Sequence, residues 1–474
     1  MALRTLNQHE QARAIAQATG ISVEGIDGCL AKAAQASPRQ VQEVLAKARS
    51  MAGLTLEETA ILLQRDDPET LSQIFAAAAH VKDAIYGRRV VLFAPLYISN
   101  LCTNNCLYCS FRRDNKEIER RILNMDEIAD QVRILEDMGH KRLLVECGEH
   151  PSRSPIEFVT EAIEVIYRTR SANGSIRRVN VNIAATTIED YRRLKAAGIG
   201  TYQLFQETYH RPTYAAMHPT GFKSDYDWHL SAMNRAMEGG IDDVGLGVLF
   251  GLYDYRFEVL ALLQHASYLE REFGVGPHTI SVPRWRPAEG VDFAPPYAVS
   301  DKEFKKIVAI LRLAVPYTGI ILSTRESAAM RDDLLSLGVS QMSAASATSP
   351  GGYRRSTEHS EQFRTADHRS VDEIVREICR RGYLPSFCTA CYRRGRTGEA
   401  FMKLAKPGEI HEFCAPNALL TFKEYLEDYA SEETRKVAEA TVRQHLQAIE
   451  QPSMVEATVQ RMERIEQGER DLYF

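Results

Sequence analysis

Three cysteines lie close together directly after an apolar run of the sequence. Cys102, Cys106 and Cys109 have the spacing C-x3-C-x2-C and follow the apolar residues 90–99. A cubane iron–sulfur cluster has four irons, so three thiolate ligands leave one iron without a protein ligand. That iron can bind and activate a small molecule. We therefore expect an iron–sulfur centre with one reactive corner at this position.

A structural zinc site is the alternative for this motif. Structural zinc normally takes four protein ligands, commonly from pairs of short cysteine knuckles. The sequence offers no nearby fourth ligand beside Cys102, Cys106 and Cys109. The spacing therefore favours the iron–sulfur cluster.

A second group of three cysteines lies far from the first. Cys388 and Cys391 form a C-x2-C pair, and Cys414 follows after 22 residues. Redox, zinc and iron–sulfur sites all use such pairs. His411 would complete a Cys3His zinc site on paper. We interpret this group as a metal site whose metal the spacing alone leaves open.

Composition and charge narrow the class of protein. The chain has 474 residues, of which 44% are hydrophobic and 26% charged, as is ordinary for a globular protein. A net charge of -5 gives no electrostatic footprint for nucleic acid. The first residues lack the apolar core of a signal peptide, and no window is apolar enough to span a bilayer. We expect a cytoplasmic protein that binds neither nucleic acid nor membranes. Because disulfides are rare in the cytoplasm, cysteines grouped in threes indicate metal sites.

The alternation of apolar runs with helical segments predicts the element that positions these cysteines. From residue 89 onward the two kinds of segment alternate, which fits an α/β fold with a (β/α)8 TIM-type barrel. An open doubly wound sheet would use the same alternation. The apolar runs are residues 90–99, 142–148, 179–184, 201–206, 244–250, 279–283, 320–324 and 339–345.

Three domains are predicted on this basis. Residues 1–88 carry helix signals, such as Asp67 before Pro68, and predict a helical N-terminal extension. Residues 89–350 form the barrel, which ends near a Pro-Gly-Gly turn. Residues 351–474 are mainly helical and predict a C-terminal domain that holds the second group of cysteines.

The first motif resembles the signature of the radical SAM superfamily, in which an aromatic residue precedes the last cysteine. Tyr108 fills that place. The resemblance implies a 4Fe-4S cluster that binds S-adenosylmethionine (SAM) at its open iron and cleaves it to methionine and a 5′-deoxyadenosyl radical. Gly148 and Glu149 look like the motif that contacts the methionine amino group. Gly245 and Gly247 resemble strand glycines that let the adenosine approach, although barrel packing also explains such glycines.

Longer segments narrow the resemblance to the HydG family of FeFe-hydrogenase maturases. The match extends from about residue 80 to residue 474 and includes the 22-residue spacing before Cys414. It implies a lyase that cleaves L-tyrosine to p-cresol and dehydroglycine. Dehydroglycine would pass through the barrel to an auxiliary iron–sulfur cluster on the second group of cysteines, and there yield carbon monoxide and cyanide for the hydrogenase H-cluster. The matching segments are residues 148–151, 178–185, 205–210, 247–254, 277–284 and 385–392.

The same family implies further cofactors and partners. Its auxiliary cluster carries a fifth, labile iron that is bridged by free L-cysteine and bound by a histidine. His278, just before the sixth strand, is our choice for that ligand. A residue before a strand lies at the end of the barrel opposite the first cluster, so we expect the second cluster to cap that end. The expected partners are other hydrogenase maturases and an electron donor such as ferredoxin or flavodoxin.

Residues at strand ends are candidates for binding the substrate or SAM. Arg325 follows the seventh strand and would pair with the tyrosine carboxylate, unless a salt bridge with Glu326 or a neighbouring helix holds it. Glu207 follows the fourth strand and would bind the SAM ribose or an ammonium group. Arg284 is a further candidate for the substrate.

Three other functions are compatible with the sequence. A tyrosine lyase of thiamine thiazole synthesis (2-iminoacetate synthase) would release dehydroglycine, but the C-terminal extension with its three cysteines favours the maturase. A non-catalytic scaffold would carry iron–sulfur units without consuming SAM. A structural zinc protein would contain no iron.

Overall fold

The predicted strands close into a barrel. Each strand pairs in parallel with the next, and the first strand pairs with both the eighth and the second. This closure excludes the open sheet and confirms the fold class. The structure is a computed structural model that describes residues 7–354 and 360–474. The barrel strands are β1 (Arg89–Ser99), β2 (Arg142–Cys147), β3 (Arg178–Asn182), β4 (Thr201–Gln203), β5 (Asp243–Gly247), β6 (Thr279–Ser281), β7 (Gly319–Leu322) and β8 (Gln341–Ser343).

Helices precede the barrel, as the capping signals predict. Thr55 and Glu58 form the capping box, and the Asp67 side chain accepts a hydrogen bond from the amide of Thr70. The longest of these helices, α5, packs against the barrel helix α13 (Asp301–Ala314). The N-terminal helices are α1 (Gln8–Ala18), α2 (Val23–Ala33), α3 (Pro38–Arg49), α4 (Leu56–Leu63) and α5 (Pro68–Tyr86).

Further helices cover the outside of the barrel between its strands. Most begin at a polar side chain that accepts a hydrogen bond from the first helical turn. Their apolar faces bury the outer side of the strands. They are α6 (Met125–Asp137), α7 (Ile156–Arg168), α8 (Ile188–Ala196), α9 (Arg211–Met217), α10 (Tyr226–Leu230), α11 (Ala232–Glu238), α12 (Tyr255–Phe273), α13 and α14 (Ala328–Leu337).

A ninth strand, β9 (Leu384–Ser386), joins the sheet from beyond the predicted barrel. It pairs in parallel with the first residues of β1, while the second half of β1 pairs with β2. The length of β1 therefore lets it take part in both ends of the barrel wall. The division of the chain into three domains remains a prediction. The C-terminal helices are α15 (Val371–Arg380), α16 (Ala390–Arg393), α17 (Gly398–Ala405), α18 (Ile410–Asp428), α19 (Glu432–Gln447) and α20 (Pro452–Glu466).

Side chains that point into the barrel change in character from one end to the other. Phe93, Leu144 and Ile321 form an apolar cluster on the inner face. Nearer the start of the strands lie buried polar groups such as Arg142 and Gln341, which hydrogen bond to each other at 3.2 Å. Among the described residues, no helix combines the length and apolarity needed to cross a bilayer.

Candidate active site and second cysteine site

The first three cysteines, the upper triad, lie at the end of the barrel where the strands finish. Cys102, Cys106 and Cys109 line a cavity of about 200 Å³. Backbone hydrogen bonds hold their loop in place. The amide of Thr103 donates to the carbonyl of Glu149 at 2.8 Å, and the amide of Leu107 donates to the carbonyl of Met217 at 3.0 Å. The loop that bears the triad is thus tied to the segments that follow β2 and α9.

The surroundings of these thiols suit a cationic cluster. Burial raises the pKa of all three thiols, that of Cys109 to about 11, so the thiolates require a positive partner. The amide of Asn104 faces the sulfur of Cys102 at 3.7 Å, and the amide of Gln362 faces that of Cys109 at 3.9 Å. Such amide donors commonly surround cluster sulfurs. The donor set therefore fits the 4Fe-4S cluster that the motif predicts.

Tyr108, the aromatic residue of the motif, is held rigidly beside the triad. Its hydroxyl lies 2.8 Å from Nε2 of His218, and Nδ1 of that ring lies 2.8 Å from the carbonyl of Tyr214. Because a carbonyl only accepts, Nδ1 carries the proton and Nε2 accepts from Tyr108. Burial lowers the pKa of His218 to about 3, so the imidazole is neutral. The Tyr108 ring packs in one apolar cluster with Cys106.

Gly148 and Glu149 meet the cysteine loop. The amide of Gly148 donates to the carbonyl of Ser99 at 2.9 Å, and a Cβ at this position would lie 2.4 Å from the carbonyl oxygen of Leu101. The absence of a side chain thus allows the two backbones to approach. The carboxylate of Glu149 accepts a hydrogen bond from Asn104 and lines the cavity.

Gly245 and Gly247 lie in β5 but do not line the cavity. A Cβ on Gly245 would lie 2.4 Å from Oγ1 of Thr279, and one on Gly247 would lie 2.4 Å from the ring of Phe205. Phe205 does line the cavity. This geometry favours the packing interpretation, in which Gly247 makes room for a ring of the cavity wall.

Glu207 points into the cavity from a strained backbone. Its φ of +67° is unusual for a residue with a side chain. Its carboxylate pairs with Nζ of Lys223 at 2.7 Å. Burial alone would lower the pKa of Lys223. Its interactions with the Glu207 carboxylate and with the nearby cysteine sulfurs outweigh burial and raise this pKa. Sequence analysis missed Lys223, because a lysine in a short connecting segment gives no signal of burial.

Arg325 lines the same cavity, and no described residue forms the salt bridge suggested as its alternative role. Its guanidinium stacks on the ring of Phe363 at 3.3 Å. Glu326 pairs instead with Arg284 and with Arg286, the latter at 2.8 Å. Arg284 also binds Asp301 and does not line the cavity. The cavity therefore contains the guanidinium of Arg325 and excludes that of Arg284.

Two further features of this cavity were not predicted. Burial raises the pKa of Glu146 to about 8, so this carboxyl is largely protonated at neutral pH. The second feature is the segment 360–363, of which Gln362 and Phe363 line the cavity. Tyr97 donates to the Gln362 side chain at 2.8 Å, and Ser110 donates to the carbonyl of Glu361 at 2.6 Å.

The second group of cysteines, the lower triad, lies at the opposite end of the barrel. Cys388, Cys391 and Cys414 line a cavity of about 60 Å³ together with His278. Nε2 of His278 lies 3.1 Å from the hydroxyl of Tyr392. A hydrogen bond from Cys414, aided by nearby arginines, lowers the pKa of Cys391 to about 6. The barrel therefore brings His278 and these cysteines together.

His411, the fourth ligand of the zinc alternative, does not line this cavity. Its Nδ1 contacts the carbonyl of Gly408 at the start of α18. Among the described residues, no group of His, Cys, Asp or Glu side chains converges to hold a single metal ion. An iron–sulfur cluster binds each thiolate at a different iron, so its ligands do not converge on one point.

Buried arginines make the lower cavity positive. Arg89 and Arg142 line it, and Nε of each has no hydrogen-bond partner in the part of the chain that the structure describes. Arg178 stacks on the ring of Tyr392. Asp243 is the carboxylate that faces this group, and its Oδ1 lies 3.6 Å from Nδ1 of His278. Sequence analysis missed these arginines because they lie at the starts of apolar strands.

Between the two cavities, inward-facing polar atoms lack protein partners. They are Oε1 of Gln203, Oγ1 of Thr279 and Nη1 of Arg178. Buried polar groups are normally satisfied, so water or a polar solute is expected to pair with them. The barrel interior therefore combines the apolar cluster of Phe93, Leu144 and Ile321 with polar atoms that can pair with water or a small polar solute.

Two family models match the chain. The radical SAM superfamily matches residues 96–265, and the biotin and thiamin synthesis associated domain matches residues 281–384. The 2-iminoacetate synthase of Escherichia coli (strain K12) is 31% identical over 340 residues, which are 72% of this chain and 88% of that protein. The FeFe-hydrogenase maturase subunit HydE of Thermotoga maritima is 26% identical over 201 residues, 40% of this chain and 56% of that protein.

Solved structures match almost the whole chain. A crystal structure of HydG, a maturase of the FeFe-hydrogenase, is 56% identical with a TM-score of 0.93, and the match covers 96% of this chain and 99% of that one. HydG from Carboxydothermus hydrogenoformans is 42% identical with a TM-score of 0.82, over 96% of this chain and 100% of that one. The barrel and its upper triad define the class of radical SAM enzymes, whose domain implies a 4Fe-4S cluster with SAM. Within that class, the chain belongs to the HydG family of hydrogenase maturases.

Proposed function

We propose that this chain cleaves L-tyrosine to p-cresol and dehydroglycine in the upper cavity, and converts dehydroglycine to carbon monoxide and cyanide at the lower triad for FeFe-hydrogenase H-cluster assembly. The observation that carries this proposal is the presence of two cysteine triads at opposite ends of one barrel. His278 accompanies the lower triad. Along β1, Val91 lines the lower cavity, and Phe93, Pro95 and Tyr97 line the upper cavity.

In the upper cavity, the residues divide between the cofactor and the substrate. Cys102, Cys106 and Cys109 hold the cluster, which with SAM supplies the chemistry that removes a hydrogen atom from the substrate. Glu149 faces the methionine ammonium. Lys223, already paired with Glu207, provides a cation for the methionine carboxylate.

Arg325 is proposed to bind the carboxylate of tyrosine. Its guanidinium is oriented by the Phe363 ring, and Arg is suited to bind a carboxylate through two parallel hydrogen bonds. The segment 360–363 and the barrel wall exclude bulk water from the bound substrate, which strengthens this ion pair. The tyrosine is therefore held at its carboxylate while the bond between Cα and Cβ breaks.

In the lower cavity, Cys388, Cys391 and Cys414 are proposed to hold the auxiliary cluster. His278 lines the same cavity and would bind the further iron of that cluster, with free L-cysteine as an additional proposed component. Arg89 and Arg142, whose Nε atoms have no partner among the described residues, are proposed to attract the carboxylate of dehydroglycine.

The proposed reaction requires partners beyond the chain. A low-potential electron donor such as ferredoxin or flavodoxin reduces the first cluster. Other hydrogenase maturases receive the product. We infer a cytoplasmic location, because the chemistry requires reduced thiols.

The second candidate function is that of a 2-iminoacetate synthase, in which dehydroglycine is the final product. The similarity to such an enzyme over 340 residues favours it for the upper site. It gives no role to the lower cavity with His278 and the lower triad. The maturase proposal gives a role to both cavities.

Anaerobic turnover tests the proposal. Protein reconstituted with iron and sulfide is supplied with SAM, tyrosine and dithionite, and the products are measured. We expect 5′-deoxyadenosine, p-cresol, carbon monoxide and cyanide, and none of them from the Cys106→Ala variant. Formation of p-cresol without carbon monoxide and cyanide would support the 2-iminoacetate synthase. Absence of 5′-deoxyadenosine would support a scaffold, and absence of bound iron a zinc protein.

A further inference from the structure

The segment Arg470–Phe474, called the C-terminal segment from here on, contacts the regions that carry Cys391 and Cys414. It is not part of the described lining of the lower cavity. The carboxylate of Asp471 pairs with Arg393 at 2.6 Å. Arg393 is only two residues beyond Cys391 and ends the short helix α16. The guanidinium of Arg393 also lies over the Tyr473 ring at 4.0 Å. One side of the C-terminal segment is therefore fastened to the Cys391 region.

The other side of the C-terminal segment is fastened to the helix of Cys414. The amide of Phe474 donates to the side chain of Asn417 in α18 at 2.9 Å. The amide of Asp471 donates to the buried carboxylate of Glu424, also in α18, at 2.6 Å. Asn417 is three residues beyond Cys414. The same short segment thus binds both elements that supply the lower cysteines.

The backbone of Asp471 indicates that these contacts determine its conformation. Its φ is +63°, a left-handed conformation that Asp and Asn tolerate better than most residues. A buried ion pair between Arg177 and Glu424, at 2.7 Å, lies beside Asp471. This ion pair connects α18 to the start of β3. Arg177 also faces the carboxylate of Asp471 at 3.2 Å.

The Cys391 region has little internal structure of its own. Helix α16 spans four residues, and a single turn depends on tertiary contacts, here those of Tyr392 with the barrel and those of Arg393 with the C-terminal segment. Cys414 lies on α18, and 22 residues separate the two cysteines. A cluster that bridges them requires a fixed distance between α16 and α18, and the C-terminal segment contacts both.

We propose that the C-terminal segment is a positioning element that sets the geometry of the lower triad by holding the Cys391 region against α18. Its role in catalysis rests on the function proposed above, but its effect on cluster binding does not. None of its residues is among the described residues that line the lower cavity. It therefore acts through the positions of Cys391 and Cys414.

The test compares variants that differ only in these contacts. Asp471→Asn combined with Tyr473→Ala removes the charge and the ring but keeps a residue that tolerates the left-handed backbone. Arg177 keeps its partner Glu424 in this variant. The matched control is Glu469→Gln, which breaks the exposed ion pair with Arg464, at 2.6 Å, only two residues away.

Iron content is measured in two full-length backgrounds after anaerobic reconstitution. In the background in which Cys102, Cys106 and Cys109 are alanine, all cluster iron belongs to the lower triad. We expect the double variant to lose most of that iron, and the control to keep it. In the background in which Cys388, Cys391 and Cys414 are alanine, we expect both to bind as much iron as the parent. In the intact protein, the ratio of carbon monoxide to p-cresol should fall severalfold.

Unchanged iron at the lower triad of the double variant would overturn the proposal. Equal loss of iron from both triads would also overturn it, since that result would indicate general destabilisation. If the double variant does not fold, Asp471→Asn alone gives the same comparison. A parent protein that makes no carbon monoxide would refute the proposed function, while the iron measurement would still decide the role of the C-terminal segment.

Discussion

Charged side chains in the two cavities are held by specific partners, and those partners define what each charge can do. Lys223 is paired with Glu207, whereas Arg325 stacks on the ring of Phe363 and forms no ion pair with a carboxylate of the described residues. An arginine on a ring keeps its hydrogen-bonding edge available for a ligand. Arg325 is therefore the residue of the upper cavity best suited to bind an added carboxylate.

Changing Arg325 to Lys should weaken tyrosine binding selectively. Lysine keeps the charge but loses the planar pair of donors, and a hydrogen bond to a charged group contributes about 1.5–3 kcal/mol. We expect the KM for tyrosine to rise about 10-fold or more while the KM for SAM changes little. Initial rates of p-cresol formation measure this effect. Arg284→Lys is the control because Arg284 lies outside the cavity, and an equal rise in both variants would argue against Arg325 as the clamp.

Residue types and spacing predicted both cysteine triads, and the order of the strands placed His278 and Arg325 at opposite ends of the barrel. Lys223 and the arginines at the starts of β1, β2 and β3 could not be found in this way. A buried charge is defined by the distant partners that surround it, and no local pattern in the sequence records them. The positive φ of Glu207 likewise depends on tertiary contacts.

The cysteine loop depends on close contact between two elements, the end of β1 and the end of β2. Changing Gly148 to Ala should disturb this contact, because its Cβ would lie 2.4 Å from the backbone of Leu101, next to Cys102. We expect reduced iron at the upper triad and a lower thermal midpoint, with a loss of stability of about 1–3 kcal/mol for an overpacked site. Iron analysis and anaerobic thermal unfolding measure the two effects.

The matched control for this change is Gly28→Ala in α2. A Cβ there has no neighbour within 4 Å, and alanine favours a helix more than glycine does. We expect this variant to bind as much iron as the parent and to be slightly more stable. Normal iron content in Gly148→Ala would show that the close contact is not needed for the cluster.

Helix α12 fixes the segment that follows β4. Its buried Glu258 accepts a hydrogen bond from the amide of Tyr209 at 2.8 Å and contacts Thr208, next to Glu207. Burial raises the pKa of Glu258 to about 8. The folded protein therefore binds more protons than the unfolded chain between about pH 4.5, the usual value for Glu, and pH 8. The contribution of this group to stability is full below that range and is lost as the pH rises through it.

Glu258→Gln should remove this pH dependence. Glutamine can donate to Thr208 and accept from Tyr209, as the protonated acid does. We expect the variant to match the parent in thermal midpoint at pH 5.5 and to exceed it at pH 8.5. Glu258→Asp, which keeps a titrating carboxyl, is the comparison. Parallel decline of parent and Glu258→Gln with rising pH would rule out Glu258 as the source.

At the scale of the elements, periodicity predicted the eight barrel strands to within a few residues at each end. The observed strands other than β1 are shorter than predicted, because the residues that follow several of them turn inward to line the upper cavity. The strand β9 was not predicted, since three residues that include Pro385 give no strand pattern. Its position is set by the free edge of β1 at the lower end of the barrel.

At the scale of the whole molecule, the two cysteine triads lie in separate cavities at opposite ends of the barrel, and β1 contributes to both. A closed barrel encloses both cavities and leaves unpaired polar atoms between them, so a polar intermediate need not enter bulk solvent. Topology alone predicted the opposite placement of the two sites, because residues before and after strands lie at different ends. The polar lining of the barrel interior depends on inward-facing side chains, whose partners the sequence does not reveal.

The central claim of this account is that one chain contains two separable sites. It is tested most directly by measuring p-cresol and carbon monoxide from the folded Cys388→Ala/Cys391→Ala variant under anaerobic turnover with SAM and tyrosine. We predict p-cresol at close to the parent rate and no carbon monoxide. Loss of both products together, with the upper cluster still bound, would contradict the claim.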